Sequence, residues 1–285
     1  MEQTPYLSVV IPAFDEAHRI ERSLREIAQY LEQHPFSSEV IVVDDGSRDA
    51  TAHLVEAFAR TWSSDRVSVR LLQNARNFGK GYSVRRGFLS ARGEIVLFTD
   101  ADLSTPIAEA ERLLHLIERE GVDVAFGSRG LDRRLIVKPQ SRARQWAGRI
   151  FNVLVRLLTG LPFADTQCGF KAYRRASLLP IFRSQRLCGF SFDVEILYLA
   201  RKRGLRLREI PVQWSHAEGT KVRLLRDAWH MGMDLLRLRA NEWLGRYELP
   251  MATPAATEEG TPCDLRIAWG PRRGGTTWRR WNASD

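Results

Sequence analysis

Residues 95–106 read IVLFTDADLSTP, and this stretch decides how the rest of the chain is read. Ile95, Val96, Leu97 and Phe98 form an unbroken apolar run with no polar alternation, as a strand buried on both faces requires. The run leads directly into Asp100-Ala101-Asp102. Two carboxylates at that point cannot be left unpaired in a core at acceptable cost. Spaced two apart in an extended loop, they can face one divalent cation, and hard oxygen ligands suit Mg2+ or Mn2+. The competing reading is a helix cap, because Asp102 to Pro106 precedes a helical pattern and places Pro near its first turn. The strand-end context favours the metal.

Outward from this stretch the same grammar repeats. Leu7–Ile11, Val40–Val43, Val67–Leu72 and Val122–Phe126 are further apolar runs. Between them lie helical patterns, such as Ala17 to Gln33 with Ile20, Leu24, Ile27 and Leu31 on one face. Strands alternating with helices predict an α/β fold with a mainly parallel, Rossmann-like sheet flanked by helices. Ligands of such sheets bind beyond the carboxyl ends of the strands. The polar clusters fall there: Asp15-Glu16, Asp44-Asp45, residues 77–81, Asp100-Ala101-Asp102 and Ser128-Arg129.

Two of these clusters suit a nucleotide. A carboxylate at a strand end, here Asp44 or Asp45, can accept from ribose hydroxyls or a base N–H. Ser47 and Asp49 read as caps of the next helix. Asn77-Phe78-Gly79-Lys80-Gly81 sets a lysine between glycines at a helix start, a plausible anion site. It is not the GxxxxGK[ST] of an ATPase phosphate loop.

The second half is less regular. Arg142–Leu158 and Val222–Leu244 are basic amphipathic helices, with Phe192–Lys202 a helix and Leu205–Val212 a strand between them. The first aligns Trp146, Ile150, Phe151, Leu154 and Leu158. The second aligns Val222, Leu225, Trp229, Met233, Leu236 and Trp243. Such stripes mean either core packing or, with Trp and Arg at the boundary, a helix lying in a membrane interface. Asp193 and Glu195 are read as helix-capping rather than site-ordering residues. Arg133, Arg134 and Lys138 are read as a solvated basic loop. Residues 1–248 are expected to form one domain and 249–285, rich in Pro, Thr, Gly and Arg without period, a disordered tail.

The 285 residues carry a net charge of +9, which favours an anionic partner such as a nucleotide, a nucleic acid or a lipid phosphate. Cys168, Cys188 and Cys263 form no CxxC and are expected to be free thiols in a reducing cytosol. The start MEQTPYLSVVIP lacks a basic, then apolar, signal pattern, and no run is long enough to span a bilayer.

The segments SVVIPAFDE, VVDDGSRDAT, NFGKG and FTDADLSTP, in that order, resemble the family 2 glycosyltransferases of the GT-A fold. FGSRG, SRARQWAGRIFN, DTQCGFKAYRR, FSFDVEILYLA and IPVQW resemble the branch that transfers glucose to dolichyl or other polyprenyl phosphates. The resemblance implies an inverting transfer from UDP-glucose, bound by Pro12, Ala13, Glu16, Asp44, Asp45, Lys80 and Asp100. Lys221 is a further candidate for the diphosphate. It implies that Asp100 and Asp102 hold Mg2+ or Mn2+, that Arg129 and Arg142 hold the acceptor phosphate, and that Asp165 is the base if one is used. It also implies an enzyme peripheral to the cytoplasmic face of a membrane. Where a related mannose-transferring branch often has Gln-His, this chain has Ser104-Thr105, which favours glucose but removes a third metal ligand. Rival readings are a mannosyl or other sugar transferase, a nucleotidyltransferase, and a basic nucleic-acid-binding module. The last lacks any groove-reading motif or aromatic platform.

Overall fold

The computed structural model describes residues 4–217 and 224–247. In chain order its strands are β1 (Leu7–Ala13), β2 (Ser38–Asp44), β3 (Val67–Gln73), β4 (Ile95–Thr99), β5 (Val124–Ser128), β6 (Ile136–Lys138), β7 (Phe170–Arg174), β8 (Leu207–Pro211) and β9 (Trp214–Ser215). The helices are α1 (Ile20–Glu32), α2 (Thr51–Thr61), α3 (Lys80–Ser90), α4 (Ala110–Arg119), α5 (Arg142–Thr159), α6 (Arg175–Ser184), α7 (Phe192–Lys202) and α8 (Leu224–Trp243).

Seven strands form one sheet in the order β3-β2-β1-β4-β7-β5-β8, and β6 pairs separately with β9. All pairings in the large sheet are parallel except those of β7, which runs antiparallel between β4 and β5. The chain winds outward from β1 through β2 to β3, then returns to place β4 on the other side of β1. That reversal opens a crevice at the carboxyl ends of β1 and β4, where doubly wound sheets bind ligands.

Helices cover both faces, which explains the continuous apolar strands. Leu7, Val9 and Ile11 of β1 point into one core layer, while Val10 points into the other. The first layer takes Ile20, Leu24, Ile27 and Leu31 of α1, all fully buried as their spacing predicts. The second takes residues of α3, α6 and α7. Every residue of α7 from Phe192 to Ala200 is buried.

Sequence periodicity did not reveal α6. Pro180 lies inside it, and an internal proline argues against a helix because it lacks an amide hydrogen and crowds the preceding turn. Packing of Leu178, Ile181 and Phe182 into the second core layer holds the segment helical.

α5 and α8 pack along each other at the edge of this layer. Phe151 and Val155 of α5, with Leu235 and Leu238 of α8, face the core. Most of the remaining stripe does not: Trp146, Ile150, Leu154, Trp229 and Leu236 are exposed, and Trp243 is 87% exposed. Core packing therefore accounts for only one side of each helix. No helix among the described residues is long and apolar enough to cross a membrane. Cys168 is a buried free thiol, as expected, but Cys188 is disulfide-bonded, against the expectation of a free thiol; Cys263 and the expected tail from residue 249 lie outside the described residues.

Candidate functional site

The loops at the carboxyl edge are tied to one another by short polar side chains. Asp15, in the left-handed region at φ +52, donates its amide to Ser47 Oγ and accepts from the Arg48 amide. Thr51 Oγ1 accepts from the Glu16 amide. Asp49 accepts from the amides of Ala17 and Thr51. Ser47 and Asp49 thus join the β1 and β2 loops. Ser47 caps nothing, because the helix it was expected to cap starts at Thr51 with no side-chain cap bond. The Glu16 carboxylate lies 2.9 Å from Arg19 Nε.

Pro12 and Ala13 end β1, paired with Val43 and Asp44 of β2. The Ala13 carbonyl accepts from the Asp45 amide. The two neighbouring aspartates divide their work. Asp44 Oδ1 accepts from the Ser47 hydroxyl and amide, while its Oδ2 takes only a long 3.4 Å contact from that amide. Asp45 is buried and accepts from Asn74 Nδ2 at 2.7 Å, Phe78 N at 3.0 Å and Gly79 N at 2.8 Å. With both oxygens taken, Asp45 shapes the residue 77–81 loop from below. Burial raises its pKa against these hydrogen bonds. Of the two aspartates expected to meet a nucleotide, Asp45 positions the lysine loop, and Asp44 keeps an oxygen with only the long Ser47 contact. Gly79 is required there: its φ is +103, and a Cβ would sit 2.5 Å from the Cys188 carbonyl oxygen.

Lys80 opens α3 and places its ammonium 2.6 Å from Asp100 Oδ1. Burial opposes the Lys80 charge, but Asp100 and Asp193 outweigh it and hold the pKa above its usual range. Asp100 lies just past β4 with its amide bonded to the Gly169 carbonyl. Its carboxylate sits in a cradle that only glycine leaves open: a Cβ on Gly169 would lie 2.5 Å from Asp100 Cγ and closer still to Oδ2. Asp102 Oδ1 accepts from the Ser104 amide at 2.9 Å, and the turn carries Leu103 at φ +46. Asp102 thus bonds within its own turn and caps no helix, since the helical segment that follows starts at Ile107 with no side-chain cap bond; its Oδ2 takes no part in the Ser104 bond.

No group of three or more His, Cys, Asp or Glu side chains suited to a metal occurs among the described residues. The donor set present is two part-exposed carboxylates, one of them cradled over Gly169. Such a set fits a hard divalent cation that completes its shell with water and substrate phosphate oxygens. It does not fit a closed structural metal site.

Arg129 follows β5 and is locked to Asp165. Its Nε lies 2.6 Å from Asp165 Oδ2 and its Nη2 2.9 Å from Oδ1, a bidentate pair. The Arg129 and Gln167 amides also donate to Asp165. The guanidinium lies over the Trp214 ring at 5.7 Å. Burial alone would raise the Asp165 pKa, but Arg129 overcomes it and holds the carboxyl at about 2. Both Asp165 oxygens are paired with Arg129, so in this structure the carboxylate expected to serve as a base holds that guanidinium in place. A depressed pKa stabilises the fold above the unfolded value near 4, and that stabilisation is lost as pH falls towards 2. The native chain should exceed an Asp165→Asn variant in unfolding free energy at pH 7, and the gap should close between about pH 4 and pH 2. A gap that persisted at pH 2, measured by denaturant titration, would show that Arg129 does not depend on this charge.

Asp193 and Glu195 do not cap α7. Asp193 Oδ1 lies 2.8 Å from the buried ammonium of Lys171. Glu195 accepts from the amides of Arg186 and Leu187 and from the Tyr247 hydroxyl. Burial pushes the Glu195 carboxyl up to about 7. Both acids reach partners outside their own helix, because α7 is surrounded by protein. Lys171 escaped the sequence reading, although a lysine inside the apolar strand Phe170–Arg174 was a visible signal.

Lys80, Arg129, Asp165 and Asp193 line one cleft of about 650 Å³. Arg133, Arg144, Arg149 and Arg156 also reach it, so six cationic side chains face two acidic ones. The basic loop of 133–138 is thus partly site wall, held by the β6–β9 pairing. Arg142 is the first residue of α5, the helix that forms one wall. Lys221 lies outside the described residues.

The family model described as Glycosyl transferase family 2 matches residues 8–182. The chain is similar to proteins named dolichyl-phosphate beta-glucosyltransferase. It is 35% identical to that of Dictyostelium discoideum over 86% of this chain and 77% of the relative. Against that of Homo sapiens it is 34% identical over 86% and 78%. Among solved structures it superimposes on mannosyl-3-phosphoglycerate synthase from Rubrobacter xylanophilus with TM-score 0.61 and 21% identity, covering 89% of this chain and 79% of the other. It also superimposes on glucosyl-3-phosphoglycerate synthase from Mycobacterium tuberculosis, in complex with Mn2+, UDP-glucose and phosphoglyceric acid. There the TM-score is 0.60 at 21% identity, covering 87% and 82%. At these identities the likeness bears on the fold, a GT-A sheet.

Proposed function

Because the chain belongs to glycosyl transferase family 2 and is a glycosyltransferase, we propose that it moves glucose from UDP-glucose to a dolichyl or other polyprenyl phosphate, with inversion. The observation that carries this reading is the cleft. It starts at the Lys80–Asp100 pair in the crevice of the sheet, presents six cations, and is walled by α5, whose outer face is apolar. Such a surface suits an acceptor with an anionic head and a hydrocarbon tail.

Asp44 is placed for the nucleoside and Lys80 for the diphosphate. Asp100 and Asp102 are the residues that would hold Mg2+ or Mn2+. When bound, such an ion neutralises charge on the departing diphosphate. An acceptor phosphate oxygen attacks the anomeric carbon, the bond from that carbon to the UDP oxygen breaks, and UDP departs with the electron pair. A phosphate monoester has its second pKa near 6, so the nucleophile is already largely anionic at neutral pH. Cationic positioning matters more than a base, consistent with an Asp165 committed to Arg129.

Asp165 holds the Arg129 guanidinium in one plane over Trp214, with Nη1 outside the bidentate pair. Arg142 is the second proposed phosphate contact. Arg142→Ala should raise the acceptor KM about tenfold, the worth of one charge-assisted hydrogen bond, and leave UDP affinity unchanged. An unaltered acceptor KM and rate would remove Arg142 from the acceptor site.

Nine of the thirteen exposed large hydrophobic residues described lie on α5 and α8. We read this face as the surface that rests on a bilayer, flanked by arginines that favour anionic lipid. The test of donor and acceptor together is incubation with radiolabelled UDP-glucose, UDP-galactose or GDP-mannose, each with polyprenyl phosphate and Mg2+. Label from UDP-glucose should enter the organic phase. Label from GDP-mannose instead would reassign the sugar, and none from any donor would contradict the lipid acceptor.

A further inference from the structure

Lys171 occupies the middle of β7, in register with Phe98 of β4 and Phe126 of β5. Its side chain is wholly removed from solvent, donates to the Cys168 carbonyl and lies 2.8 Å from Asp193 Oδ1. Asp193 itself is 3% exposed. A buried ion pair gives up the hydration of both charges, and apolar residues of similar volume often stabilise a fold as well or better. Stability alone is therefore a weak reason for charges at these positions.

Their location supplies a better one. The Phe98 ring has Lys80 Nζ 5.2 Å and Lys171 Nζ 5.9 Å from its centroid. One aromatic ring thus serves two ammonium groups, a cation–π arrangement that fixes their common environment. Asp193 reaches the same cleft wall as Lys80, and its negative charge adds to that of Asp100 in favouring the Lys80 ammonium. Lys80 pairs with Asp100 at 2.6 Å and Lys171 with Asp193 at 2.8 Å, two ion pairs whose ammonium groups share the Phe98 ring.

We propose that Lys171 and Asp193 are positioning residues for the donor site: Lys171 anchors Asp193, and Asp193 holds the Lys80 ammonium in the place where a nucleoside diphosphate meets it. The inference rests on the reading of Lys80 and Asp100 as donor-binding residues. Neither Lys171 nor Asp193 is assigned a contact with substrate. Without the pair, the Lys80 ammonium, 2.6 Å from Asp100, loses the negative charge of Asp193 from its cleft wall.

The test uses the full chain with UDP and Mn2+ in a calorimetric titration, beside thermal unfolding. A Lys171→Met, Asp193→Leu double variant removes both charges and keeps apolar bulk. It should unfold near the temperature of the parent yet bind UDP at least tenfold more weakly, and in turnover the donor KM should rise while the acceptor KM stays. A pair with a merely structural role would be replaced by this apolar couple without loss. UDP affinity within twofold of the parent would overturn the proposal. Asp193→Asn, close in shape, provides the same readout should the double variant not fold, with the same tenfold loss expected and the same twofold limit. A parent chain that binds no UDP would instead overturn the donor-site reading.

Discussion

Asp102→Ala should lower sugar transfer at least about a thousandfold and leave the protein folded. The structural cost is small, because the side chain is part-exposed and its described bond is one to the Ser104 amide. A single hydrogen bond of this kind contributes about 1 kcal/mol to stability. The chemical cost is of a different order. In the proposed reaction the departing UDP carries charge that Lys80 alone, already paired with Asp100, cannot neutralise. A divalent ion supplies several kcal/mol at such a leaving group, and about 4 kcal/mol corresponds to a thousandfold in rate. Comparing kcat of the variant with its thermal unfolding midpoint separates the two costs. A variant with unchanged kcat at saturating Mg2+ would remove Asp102 from the metal site.

Gly169→Ala should have the next largest effect, and for a steric reason. The added methyl would overlap the Asp100 carboxylate, and something must move. Asp100 Oδ2 is the end of a side chain that is 32% exposed, so it can turn towards solvent. Gly169 itself has no requirement for positive φ. The fold should therefore persist, with Asp100 rotated off its cradle and away from Lys80. Transfer should fall by about a hundredfold, the scale on which misplacement near a reacting group is felt. The expected signature is weaker Mn2+-dependent UDP binding at nearly unchanged unfolding temperature. Normal UDP affinity in that variant would show that the cradle is not needed.

The fold was legible because burial on two faces leaves a distinct mark on sequence. Val40 to Val43 has no polar alternation, and the strand it forms is buried throughout. Asp100 and Asp102 were legible as candidates for a metal because two carboxylates at the end of such a strand need a cation or a set of donors to offset their charge. What stayed hidden depends on partners far apart in the chain. Nothing near Asp165 announces that Arg129, 36 residues earlier, will take its lone pairs. Nothing near Asp45 announces the amides of Phe78 and Gly79. The helical look of FDVEILYLA favoured capping for Asp193 and Glu195, because local pattern cannot tell that α7 is enclosed on all sides. Pro180 hid α6 for the complementary reason: a local penalty was outweighed by tertiary packing. The stripe of α8 posed a choice between core and interface, and only the neighbouring elements show that Leu235 and Leu238 are covered while Trp229, Leu236 and Trp243 are exposed.

The central claim is that Asp100 and Asp102 grip a divalent ion against the diphosphate of UDP at the mouth of the β1–β4 crevice. Crystals grown with UDP and Mn2+ test it directly through the anomalous signal of manganese. The account predicts a peak in contact with carboxylate oxygens of both aspartates and with the diphosphate, and Lys80 turned to the same phosphates. UDP bound with no manganese at these aspartates, or manganese seated elsewhere, would contradict it.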